Sequence, residues 1–172
     1  ANLILCVAVE VRGDGAAASA IERTIAAGMA RRFAACQGSV TARLRAAIVA
    51  AHQWLAGRAA TEDGGGLIVG LGALAVAGDE AILAQVGPSF ALVASQADIS
   101  RHPASSPWWE AASTTASVGP LWSPLGVGAT PEIQWERIAG GRRATILLST
   151  SAAATLASDG AAILRDAPDS GL

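Results

Sequence analysis

The chain has 172 residues, 52% of them hydrophobic and 15% charged, with 12 basic and 14 acidic side chains and a formal net charge of -2. That length fits one domain with a sizeable buried core. The near balance of charge excludes both the basic footprint of a nucleic-acid binder and a strong steering field for a charged ligand.

In chain order, Leu3 to Val11 (LILCVAVEV) is rich in branched apolar residues and predicts a buried strand. Gly13-Asp14-Gly15 breaks it. Ala16 to Phe33 predicts a helix, with Ile21, Ile25 and Met29 on one face at four-residue spacing. Ser39 is placed to cap a second helix from Val40 to Leu55, striped by Leu44, Ile48, Ala51 and Leu55. After the turn Thr61 to Gly66, two strands, Leu67 to Val76 and Ala81 to Val86, flank the hairpin signal Gly78-Asp79-Glu80. Gly70 and Gly72 inside the first of these point to a close backbone approach or a bulge. Gly87-Pro88-Ser89 interrupts, and a strand resumes over Phe90 to Ala94. Residues 98–130 carry four prolines, many serines and Trp108, Trp109 and Trp122, and read as a long irregular segment. Short strands follow at Glu132 to Arg137 and Ala144 to Ser149, then a helix within Ala152 to Asp166. Hairpin-linked strands around a sequential helix pair predict an α+β fold, an antiparallel sandwich flanked by helices, over one domain spanning 1–172.

Most chemistry-bearing residues have an ordinary structural reading. Cys6 and Cys36 lie in apolar or helical stretches and read as buried free thiols. His52 reads as a packed helix histidine and His102 as a surface residue. Gly64-Gly65-Gly66 lacks the G-K-[ST] that makes a phosphate-cradling loop. Asp159-Gly160 reads as a turn. The first residues lack the charged start of a signal peptide, and the longest apolar run, Leu67 to Gly78, is too short for a bilayer. A cytoplasmic protein is the expectation. Trp108, Trp109 and Trp122 are the candidate interface residues, since aromatic side chains in a Pro-rich loop suit a contact with a protein partner or a second copy.

Several segments, in order, resemble the metal-dependent serine/threonine phosphatases of the 2C type. The family's V-A-D-G-x-G-G is echoed by Val7 to Gly15, its G-[ST]-T by Gly64 to Gly66, and its V-G-D-S-R by Val86-Gly87-Pro88-Ser89-Phe90. Its late L-G resembles Leu125-Gly126, and its G-D-x-[LI]-L-L-x-[ST]-D-G resembles Gly141 to Ala152. The resemblance implies a four-layer α-β-β-α sandwich with two divalent cations, Mg²⁺ or Mn²⁺, held by carboxylates in a cleft between the sheets and activating a water for attack on phosphorus.

At the aligned positions the aspartates are missing. Val11, Pro88 and Ser151 stand where the resemblance implies metal ligands, and the final strand with the last ligand is expected to lie beyond Leu172 or to be lost. Glu10 and Asp14 flank the first lost position as weak substitutes. The resulting expectation is a catalytically inactive phosphatase-like domain, without cofactor, acting as a protein-binding, scaffold or regulatory module. The alternative is a divergent Mg²⁺- or Mn²⁺-dependent phosphatase with a rearranged site.

Overall fold

The computed structural model describes residues 3–13, 15–59, 67–94, 98–104, 123–140 and 144–150. Strand β1 (Leu3–Arg12) leads into helices α1 (Gly15–Ala35) and α2 (Val40–Ala59). Then come β2 (Ile68–Ala77), β3 (Glu80–Val86), β4 (Ser89–Ala94), β5 (Ile99–His102), β6 (Gln134–Ala139) and β7 (Thr145–Thr150). Among the described residues the strands form two antiparallel sheets, ordered β1-β2-β3-β6 and β5-β4-β7. The α+β architecture expected from the sequence is the one observed.

Each helix forms where an apolar stripe recurs at helical spacing. In α1 the stripe is Ile21, Ile25, Met29 and Phe33; in α2 it is Leu44, Ala47, Ile48, Ala51 and Leu55, all buried. Both stripes pack on one face of the first sheet, against Val11, Val69, Leu71, Ala73 and Val86. The start of α2 is set by Ser39, whose Oγ accepts the N–H of Ala42 at 3.2 Å, the arrangement of an N-cap. The helix runs past Leu55 to Ala59.

The opposite face of the first sheet meets the second. Leu74, Ala81, Leu83 and Ile138 pack there on Ala91 and Val93. This explains β2, whose residues are buried almost throughout: it lies between β1 and β3, with helices on one side and a sheet on the other. Polar links cross between the sheets, among them Ser89 Oγ donating to the Leu71 carbonyl at 2.9 Å and Gln85 Nε2 donating to the His102 carbonyl at 3.0 Å. The hairpin turns on Gly78, at φ 65°, with Ala77 paired to Glu80.

Two expectations change. Residues 98–130 were expected to be irregular, yet Ile99–His102 forms β5 by pairing with Ala91 to Ala94; its brevity, ending at Pro103, hides it from a periodicity reading. Cys6 and Cys36 are free, but Cys6 is exposed and Cys36 half-buried. Cys6 sits on the face of β1 turned away from the helices, at the margin of the sandwich. The helix expected within Ala152 to Asp166 lies outside the described residues.

Candidate functional site

The antiparallel register gathers several chain segments at one end of the sandwich. β1 ends there, with Arg12 opposite Ile68 at the start of β2. β3 ends there, with Val86 opposite Leu71. The turn Gly87-Pro88 leads into β4, and Ser89 pairs with Thr150 at the end of β7. Thus the β1 end, the β3–β4 turn and the β7 end, three segments singled out in the sequence, lie together. Ser151 and Asp14, next to two of these ends, lie outside the described residues, as do Trp108, Trp109 and Trp122.

Within this end, alternation along β1 decides what each side chain meets. Val11 is 7% exposed and belongs to the core beneath the helices. Its N–H donates to Glu22 Oε1 of α1 at 3.1 Å. Glu10 stands opposite Gly70 and points to the other face, toward the second sheet. The carboxylate that β1 presents between the sheets is therefore Glu10, one residue before Val11. Arg12 shares that face, and its Nε donates to Glu10 Oε1 at 3.1 Å. The pair is only partly shielded, with the Arg12 side chain 46% and the Glu10 side chain 18% exposed.

Pro88 closes the other side of this end. It is fully buried, and its carbonyl lies so near Gly70 that a Cβ there would collide with it. Of the close approach or bulge that the glycines of β2 suggested, Gly70 makes the close approach. Preceding it, Gly87 accepts the Ser89 N–H through its carbonyl at 2.9 Å.

The histidines lie elsewhere. His52 is 1% exposed. Its Nδ1 accepts the Gly126 N–H at 3.1 Å, which leaves Nε2–H to donate to the Gly128 carbonyl at 3.1 Å. The ring ties the Leu125–Gly128 segment to α2, while the Leu125 N–H donates to the Val69 carbonyl at 3.0 Å. His52 is thus a packed structural histidine, as its sequence setting suggested. His102 sits on β5 beside Ser100 Oγ at 3.0 Å, with Nδ1 3.8 Å from Glu136 Oε2 of β6. β6 is the opposite edge of the first sheet from β1, so His102 lies across the sandwich from Glu10, opposite Ala91 of β4. Arg12, Glu22 and Ser89 were not singled out in the sequence; only the spacing of Glu10 and Arg12, two apart on a strand, signalled a same-face pair.

A pair of hard cations needs several oxygen ligands around each ion. Among the described residues no three His, Cys, Asp or Glu side chains come together. The carboxylate nearest that chemistry, Glu10, already pairs with a guanidinium. The described residues do not fit a two-cation centre.

No family model matches the chain, and no curated protein matches it. Solved structures do. The serine/threonine phosphatase Stp1 of Staphylococcus aureus superposes with a TM-score of 0.77 at 16% identity, over 99% of this chain and 73% of that one. The Mycobacterium tuberculosis serine/threonine phosphatase PstP/Ppp gives 0.71 at 20% identity, over 95% and 75%. A PstP catalytic domain in complex with two manganese ions gives 0.66 at 18% identity, over 95% and 84%. The chain has the fold of the bacterial phosphatase 2C-type serine/threonine phosphatases.

Proposed function

We propose that this chain is a catalytically inactive phosphatase-like domain that works as a protein-binding, scaffold or regulatory module, without a metal cofactor. The observation that carries this reading is the Glu10–Arg12 ion pair at the strand-end cluster: the carboxylate that β1 turns toward the second sheet is matched by a fixed positive charge. Pro88, in the V-G-D segment, adds a ring that offers no side-chain oxygen. Val11 and Ser151 take the remaining positions aligned with metal ligands. The partner is a protein or a second copy, with Trp108, Trp109 and Trp122 as candidate contacts, and the setting is the cytoplasm. No helix among the described residues is long and apolar enough to cross a membrane.

Purified protein is expected to bind no Mn²⁺ in calorimetry and to leave para-nitrophenyl phosphate intact. Manganese-dependent turnover that is lost on Asp14→Ala overturns this reading.

One observation favours a second reading, a divergent Mg²⁺- or Mn²⁺-dependent phosphatase. Glu10, not Val11, is the β1 residue directed between the sheets, so an acidic group does stand at this end of the fold. Turnover that requires manganese and disappears with Glu10→Gln is the result this alternative demands.

A further inference from the structure

Among the described residues β1 pairs with β2 alone, in unbroken register from Leu3 to Arg12. In an antiparallel ladder, backbone groups point alternately toward and away from the neighbouring strand. Val11 N–H points outward, since it reaches Glu22 of α1. Alternation then turns the N–H and C=O groups of Leu3, Leu5, Val7 and Val9 to the same outer edge. Glu22 occupies the Val11 end, which leaves Leu3 to Val9 as the available window.

Such edges in monomeric proteins are usually blunted by lysine, proline or a bulge. Here the window reads LILCVAV, with no charge and no proline. Beside it runs a groove of about 480 Å³, lined by Leu3, Leu5 and Val7 with Ala30 and Phe33 of α1 and by Arg43 of α2. On the other face Ile4 is 55% exposed, and Cys6 is exposed too. An incoming strand must therefore be largely apolar on both faces and able to exchange backbone hydrogen bonds.

We propose that β1 of a second copy of this chain pairs antiparallel with it across a two-fold axis, joining the two first sheets into one. The window meets every requirement it imposes. A register centred on Cys6 sets Leu3 opposite Val9 and Leu5 opposite Val7, so all the outward-facing backbone groups of the window are paired. The same register lays the partner copy's apolar side chains along the groove. No like charges are opposed, because Glu10 and Arg12 lie outside the window. The two-fold then brings Cys6 against its own copy in a non-hydrogen-bonded position, where side chains come closest. Isologous pairing of this kind closes at a dimer.

Sedimentation of the purified chain at micromolar concentration should give twice the mass of one chain. Mild oxidation should link the copies through Cys6, with Cys36→Ser retaining the link and Cys6→Ser removing it while the dimer persists. Cys6→Lys, an exposed change that opposes two positive charges across the axis, should weaken dimerisation by roughly tenfold or more, with circular dichroism unchanged. A monomer at that concentration overturns the proposal. So does a dimer unaffected by Cys6→Lys, or one that cross-links only through Cys36, as happens if the copies meet through another surface.

Discussion

At the scale of single residues, burial and hydrogen bonding rank the consequences of change. His52 is a buried polar group with both ring nitrogens engaged. His52→Ala leaves the Gly126 N–H and the Gly128 carbonyl without partners, and each orphaned group costs about 1–3 kcal/mol. Urea unfolding should therefore show a loss of at least about 2 kcal/mol, partly restored in His52→Gln. The Glu10–Arg12 pair behaves differently. Its arginine is nearly half exposed, and exposed ion pairs contribute about 0–1 kcal/mol. Arg12→Gln should change stability by less than about 1 kcal/mol, so any larger effect on ligand or cation binding by that variant is a property of the site and not of the fold. Gly70→Ala is the severe case at this end of the sandwich. The added methyl runs into backbone, the Pro88 carbonyl, and overpacking of this kind costs about 1–3 kcal/mol.

At the scale of elements, the helices were legible in the sequence because their burial is one-sided. Ile21, Ile25, Met29 and Phe33 recur at four-residue spacing and are all buried, so periodicity and packing carry the same information. Met29→Ala should cost about 2–5 kcal/mol as a cavity substitution in that stripe. Ser39→Ala removes the cap of α2 and should cost about 1 kcal/mol; both are read from denaturant midpoints. The strands were legible for a different reason: turn glycines bracket runs of branched apolar residues. β5 was not, because its few residues are held by pairing with β4 and not by a pattern of their own. The candidate site was legible only in outline. The segments around Glu10, Pro88 and Ser151 stood out by motif, and β1, β3, β4 and β7 do bring their ends together. Which of Glu10 and Val11 faces the second sheet was not legible. Alternation places them on opposite faces, but which face the helices cover is set by tertiary packing.

At the scale of the whole molecule, the helix layer and two sheets form a frame shared with phosphatases at 16–20% identity. A shared frame does not carry a shared chemistry, since function resides in the site grafted on it. If the strand-end cluster holds no cation, Mn²⁺ should leave the melting temperature of the chain unmoved, because a ligand stabilises a fold only by binding its native state. A rise that saturates with manganese contradicts the inactive reading. The sequence by itself determined the helix stripes and the hairpin at Gly78, because each depends on local pattern, and it marked Gly70 as a close approach or a bulge. Only the tertiary structure decided that Glu10 and not Val11 looks between the sheets, that Arg12 pairs with it, that Cys6 is exposed, and that β1 pairs with β2 alone among the described residues. Those outcomes depend on which strand lies beside which and which face the helices cover, and neighbours so distant along the chain leave no mark on local periodicity.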